Sequence, residues 1–196
     1  MNLYFTSDHH FGHTNIIKYA GRPFEWSDEG ALACAEYMRD RYQATVQEDD
    51  VVVFLGDVAL TRAATKQYYI DLISSLKGTR FLVKGNHDTQ PVNFYRSCGF
   101  TDIRTYHIVG RHFICHYPCA SEEYYPKESE FKKICDGAGC REIWHGHIHE
   151  KPSTETPDGM IRHNVCVDYA PNDFLPVLIT DPELRSYFFK RAERFR

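Results

Sequence analysis

The sequence predicts an α/β fold with a parallel core sheet and a second sheet of antiparallel character packed on it. Three observations carry this. In the first half, short apolar runs alternate with longer helical patterns, the order that builds a parallel sheet with crossover helices. In the second half, strand-like runs are shorter and closer together, and helical patterns are fewer. The third is a spacing: Asp57 to Asn86, Asn86 to His116 and His116 to His147 are steps of 29, 30 and 31 residues. One strand–helix–strand unit is roughly 30 residues long, so polar residues at that period return to the same sheet edge.

The elements follow in order. Asn2 to Ser7 alternates into β-branched and aromatic residues and reads as the first strand, ending at Asp8. A short helix is expected from Thr14, a possible N-cap, until Gly21-Arg22-Pro23 breaks it. Ser27 or Asp28 caps a longer helix running to about Val46. Val51 to Leu55 is an uninterrupted apolar run, as expected for a strand buried on both faces. Residues 63–76 read as helical, and Phe81-Leu82-Val83 as the next strand. Beyond Asp88, strands are expected at 101–108, 111–115, 141–145, 160–167 and 176–180, all in the second sheet. Helices are expected at 128–136 and 182–194. Tyr117 to Glu130 is a long polar stretch, readable as a lid or as an exposed loop.

A length of 196 residues predicts one domain over 1–196. The net charge of −4 argues against a general nucleic-acid binder. Residues 185–196 depart from this, with five Arg/Lys against one Glu. They read as an amphipathic helix with a solvated basic face, or as a docking strip for an acidic partner or a phosphate backbone. Seven cysteines form no regular disulfide framework, and Met1 runs directly into a strand-like segment. The expectation is a reducing cytoplasm and no signal peptide. The pairs Cys115/Cys119 and Cys135/Cys140 lack zinc-site spacing, so incidental buried thiols are the default. The longest apolar run is too short to span a membrane.

The strand ends collect metal-ligand residues. Asp8 and His10 are separated by two, as are His147 and His149, so on an extended segment each pair projects to one side. His9 would then point the other way, into the core or a neighbouring sheet. Asp57 follows Gly56 at the end of a buried strand, where an ionised carboxylate needs a partner or a metal. Asn86 offers a neutral oxygen, and His116 ends the run His112 to Cys115. Two Asp, one Asn and four His make an oxygen/nitrogen set without thiolate. It suits manganese, iron or zinc better than calcium. Seven ligands exceed one catalytic ion with an open position and divide between two if a carboxylate bridges.

The series Asp8-x-His10, Gly56-Asp57, Gly85-Asn86-His87-Asp88, His116 and Gly146-His147-x-His149 resembles the calcineurin-like metallophosphoesterases. The resemblance implies two mixed β-sheets packed face to face and flanked by helices, a four-layer α/β/β/α sandwich. It implies two divalent metal ions, manganese favoured. One would be held by Asp8, His10, Asp57 and His149, the other by Asp57, Asn86, His116 and His147. Asp57 is the bridge, and a metal-bound hydroxide attacks phosphorus. His87 is left to hydrogen-bond the phosphate and protonate the leaving group, with Asp88 orienting its ring. Asn164-Val165-Cys166-Val167-Asp168 resembles a strand that commonly follows in this family, usually with Gly where Cys166 stands.

Asp8-His9-His10 also spells the triplet of the DHH phosphoesterases, but the Gly-Asn-His-Asp and Gly-His-Ile-His motifs do not belong to that group. His13 is a candidate substrate-binding residue or a structural one, and Arg22 a candidate phosphate clamp. His145 reads as a strand end. The expected substrate is a phosphodiester, a nucleotide or another small diester. A phosphomonoester or single-stranded nucleic acid follows, and the non-enzyme alternative is a metal-binding scaffold.

Overall fold

The computed structural model describes residues 1–119, 126–152 and 159–195. The first sheet contains β1 (Leu3–Thr6), β2 (Val51–Phe54), β3 (Thr79–Val83), β4 (Phe100–Arg104) and β9 (Val177–Ile179), in the order β4-β3-β2-β1-β9. Its first four strands are parallel, and β9 runs antiparallel to β1. The second sheet has the order β5-β6-β7-β8, from Tyr106–Val109, His112–Cys115, Glu142–His145 and Ile161–Asn164. There β5 and β6 are antiparallel, while β6, β7 and β8 are parallel. Both sheets are mixed.

The helices are α1 (Thr14–Tyr19), α2 (Asp28–Thr45), α3 (Lys66–Ser74), α4 (Val92–Ser97), α5 (Pro126–Gly137) and α6 (Pro182–Ala192). Every residue of β1 and β2 is buried, and alternation divides them between two cores. Tyr4, Val52 and Phe54 face α2 and α3 through Met38, Tyr42, Tyr69 and Leu72. Leu3, Phe5, Val51 and Val53 face Ile114 and Val165 of the second-sheet region and Leu184 and Phe188 of α6. The outer face of the second sheet packs Phe113 and Ile143 on Phe131 and Cys135 of α5. The layers are therefore helix, sheet, sheet, helix.

Local sequence explains the ends. Ser27 caps α2, its hydroxyl accepting from Gly30 N at 3.0 Å, and Thr65 caps α3 by accepting from Tyr68 N at 3.3 Å. Thr14 is the first residue of α1, and the cap position is His13, without a side-chain cap bond.

Two expectations are corrected, and one helix was not expected. The strand expected over 101–108 is two strands that change sheets at Thr105, with no Gly or Pro to mark the break. The strand expected at 176–180 joins the first sheet, beside β1. Helix α4 has six residues, too few for a helical period to stand out. The lid expectation for 117–130 falls partly on residues 120–125, which lie outside the described residues; α5 starts at Pro126. Leu184, Phe188 and Ala192 bury one side of α6, which fits the amphipathic expectation for the basic C-terminal segment. No helix among the described residues is long and apolar enough to cross a membrane.

Candidate metal centre

Five loops meet at one edge. They follow β1 (Asp8, His10), β2 (Asp57), β3 (Asn86, His87, Asp88), β6 (His116) and β7 (His147, His149). All leave the carboxyl ends of parallel strands, where open α/β sheets bind ligands. The two sheets join there through a bridge between Ser7 and Cys166.

The i, i+2 pairs are not extended, contrary to the sequence reading. Asp8 (φ 60°), His10 (49°), Asp57 (52°), His147 (74°) and His149 (52°) all have left-handed backbone. Such conformations cost about 1–3 kcal/mol each and collect where function holds them. The chain turns sharply at each strand end, and the turn aims the side chain inward. Gly85 and Gly146 allow the close approach: a Cβ at Gly85 would collide with Asp57 Oδ1, and one at Gly146 with Ser7 Oγ and Asp8 Oδ2.

The donors form two groups. Asp8 Oδ1 lies 3.9 Å from His10 Nε2 and 4.0 Å from His149 Nε2. His116 Nε2 lies 2.9 Å from Asn86 Oδ1 and 3.2 Å from His147 Nδ1. Asp57 Oδ2 stands between the groups, 3.5 Å from His10 Nε2 and 3.4 Å from His116 Nε2. All seven sequence-predicted ligands are thus brought together. His9 is buried and packs on Phe11 and Phe54, pointing into the core as expected.

The set fits divalent cations. Among the described residues, Asp8 Oδ1 and both ring nitrogens of His10 are buried without a hydrogen-bond partner, a costly arrangement for polar atoms otherwise. The group Asp8, His10, His149 and the group Asp8, Asp57, His116 each hold ligand atoms within 4.8 Å of one another. Metal–ligand bonds of about 2.0–2.2 Å allow two ligand atoms on one ion to stand near 4 Å apart.

Electrostatics agree. Burial lowers His10 well below its ordinary value and, with the His116 ring, lowers His147 to about 3. Both therefore present lone pairs at neutral pH. Burial alone would lower His116 too, but the Asp57 carboxylate raises it to about 10. Burial opposes ionisation of Asp57, yet the His116 ring holds it well below the carboxylate range. A cation between them would replace that shared proton.

A second ring of groups orients the first. His116 Nδ1 is 2.8 Å from Leu55 O, which fits an Nδ1–H donor and leaves Nε2 as the ligand atom. Asp168 Oδ2 is 2.8 Å from His149 Nδ1. Cys166 Sγ donates to Asp8 Oδ2 at 2.8 Å, and His147 N donates to the same oxygen at 2.9 Å. With Oδ2 occupied, Oδ1 is the free atom of Asp8. Neither Asp168 nor Cys166 was singled out as a site residue from the sequence. The signal available was the stretch Asn164 to Asp168, which returns to the site edge beyond β8.

Two sequence expectations are corrected here. The Arg22 guanidinium is buried, and all its N–H groups have partners: Asp168 through both oxygens, the carbonyls of Asp8 and His9, and Cys34 Sγ. It has no donor left for a phosphate and instead ties the Asp8–His9 turn to Asp168. Asp88 accepts from the backbone N–H groups of Asp57, Val58 and Gly85 at 2.8, 3.1 and 2.8 Å. It clamps the Asp57 and Gly85 loops, and among the described residues makes no bond to the His87 ring.

His87 is exposed, its backbone N–H donating to Asp57 Oδ1 at 2.8 Å. Its ring centroid is 5.3 Å from that of His10 and 6.2 Å from that of His13. His13 therefore faces the centre, with burial and the neighbouring His87 lowering it to about 4. His145 is buried, its Nδ1 2.8 Å from Gly146 O. All seven cysteines are free and buried. Cys115, Cys119, Cys135 and Cys140 share one apolar cluster.

Known proteins resemble this chain in sequence and in fold. An uncharacterised protein of Methanocaldococcus jannaschii is 36% identical over 86 residues, 44% of this chain and 46% of that protein. The gene 66 protein of Mycobacterium phage L5 is 28% identical over 93 residues, 47% of this chain and 42% of that protein. The chain thus spans less than half the length of these curated relatives. A crystal structure of a protein of unknown function from Aquifex aeolicus shares the fold, with a TM-score of 0.69 at 24% identity. It covers 90% of this chain and 95% of its own. The sequence profile described as calcineurin-like phosphoesterase matches residues 1–151. The chain belongs to the calcineurin-like phosphoesterase family, whose members are metal-dependent.

Proposed function

We propose that this protein is a phosphodiesterase with a dinuclear metal centre, acting on a nucleotide or another small diester. One observation carries the dinuclear reading: Asp57 Oδ2 stands 3.5 Å from His10 Nε2 and 3.4 Å from His116 Nε2, so one carboxylate serves two donor groups. Asp8, His10, Asp57 and His149 would hold one cation, and Asp57, Asn86, His116 and His147 the other. When bound, two such ions, manganese by preference, supply Lewis acidity and an activated water near neutral pH.

The chain's own residues do the rest. Asp57 holds the two donor groups in register and, through Oδ1, fixes the backbone of His87. The exposed His87 ring can carry a proton to the departing oxygen. His13, neutral at pH 7 and held at the start of α1, can donate an N–H to a phosphoryl oxygen. Cavities on two sides support a diester, which has two arms. One of about 290 Å³ adjoins His87, and one of about 540 Å³ adjoins Asn86, Lys84 and Tyr106. Seven free thiols support a reducing, cytoplasmic setting.

The test is hydrolysis of a nitrophenyl phosphodiester and the matching monoester with manganese added. Faster turnover of the diester supports the proposal. A preference for the monoester would make the protein a phosphomonoesterase. Bound metal without turnover of either would favour a metal-binding scaffold.

A further inference from the structure

We infer that the cavity beside His87 is the leaving-group subsite, and that Arg62 selects leaving alcohols carrying an anionic oxygen group such as a carboxylate or phosphate. The inference rests on the proposed phosphoesterase reading and deepens it by naming the substrate class.

His87 is the link. His87 lines this cavity, and its ring is the group proposed to protonate the departing oxygen. The alcohol that leaves therefore emerges into this cavity and not the one beyond Asn86. The rest of the lining is Ala59, Leu60, Thr61, Arg62, Thr89 and Gln90. It contains hydroxyls, a carboxamide and one full positive charge, and no carboxylate. The carboxylates of the metal centre next to it, Asp8 and Asp57, would be offset by the cations they hold, so Arg62 is the charge that this subsite itself offers an anion. A volume of about 290 Å³ is at the small end of ligand pockets, roughly 300–1,000 Å³. It suits one compact polar substituent.

Arg62 is available for that substituent. Its side chain is exposed and makes no hydrogen bond or ion pair among the described residues, whereas every N–H of Arg22 is engaged within the fold. Arg62 lines the same cavity as His87, which places it on the substrate side of the centre. The loop carrying it is anchored. Leu60 N donates to Phe11 O at 3.0 Å, Ala63 N to Gly12 O at 3.4 Å, and Phe11 bridges Ala59. The backbone at Arg62 is thus fixed relative to the Asp8–His13 segment, and a guanidinium lining the cavity gives oxyanions directed, charge-assisted hydrogen bonds.

The test uses two diesters that differ only in leaving-group charge, methyl 4-carboxyphenyl phosphate and methyl 4-carbamoylphenyl phosphate. The ratio of kcat/KM for carboxylate over carboxamide is measured with manganese in wild type, Arg62→Gln and Arg62→Lys. Intrinsic reactivity cancels when ratios are compared between proteins. Loss of one charge-assisted contact is expected to lower the ratio about tenfold or more in Arg62→Gln, and less in Arg62→Lys. An equal ratio in wild type and Arg62→Gln overturns the subsite. If neither ester turns over, the phosphoesterase reading fails by itself, and calorimetric binding of the two esters decides the subsite. Binding of the carboxylate that weakens in Arg62→Gln supports it; identical binding overturns it.

Discussion

Asp168 Oδ2 lies 2.8 Å from His149 Nδ1, and the same carboxylate grips the Arg22 guanidinium through both oxygens. The pair fixes which nitrogen of His149 faces the centre. With Nδ1 turned to Asp168, Nε2 is the atom 4.0 Å from Asp8 Oδ1. Carboxylates behind a ligating histidine set its tautomer and raise its basicity. Asp168→Asn keeps the shape and removes the charge. Its metal affinity is expected to fall about 10–100-fold, measured by calorimetric titration with manganese. Unchanged affinity would reduce Asp168 to a partner of Arg22 alone.

Arg22 joins three parts of the chain: the Asp8–His9 turn, Cys34 on α2, and Asp168. Removing one member of a buried pair leaves the other charge uncompensated, at a cost of about 3–5 kcal/mol. Arg22→Met should therefore lose several kcal/mol in urea denaturation. A variant of native stability with only a raised KM would restore the phosphate-clamp reading.

These two residues mark where sequence reading stops. Asp57 was legible because it ends a short, wholly apolar strand, where a polar residue needs a reason; Asp8 and Asn86 were legible from the strand ends and the motifs that carry them. His116 and His147 were legible from their 30-residue step. The face-to-face sheets were expected, but the change of sheets at Thr105 was not, since both flanking segments have strand character and no breaker separates them. Arg22 and Asp168 are 146 residues apart, and nothing local announces their pairing. Asp88, next to His87 in sequence, turns instead to the backbone of Asp57 and Gly85. The tertiary arrangement of loops decides that direction, and no spacing rule does.

Cys166 Sγ and His147 N both donate to Asp8 Oδ2, which leaves Oδ1 for a cation. Cys166→Ser preserves a donor, and Cys166→Ala removes it. The alanine variant is expected to bind manganese about threefold to tenfold more weakly, the worth of one hydrogen bond, with serine recovering most of the loss. Equal affinities in all three proteins would show that the thiol only fills space.

His87 touches the centre through its backbone, while its ring stays exposed. His87→Ala should retain both metals and lose about 10²–10⁴-fold in kcat, most with poorly leaving alcohols. Metal analysis alongside kinetics across aryl esters of graded leaving-group acidity checks this. Loss of a metal in the variant would make the ring a ligand.

The bridging place of Asp57 is the claim on which the site depends, because its Oδ2 lies within 3.5 Å of both His10 Nε2 and His116 Nε2. The direct measurement is metal content and manganese affinity of Asp57→Asn after equilibrium dialysis, with native fold confirmed by circular dichroism. Weakened binding of both ions together is the expected result. Full occupancy at wild-type affinity, or loss of one ion with the other unaffected, would contradict it.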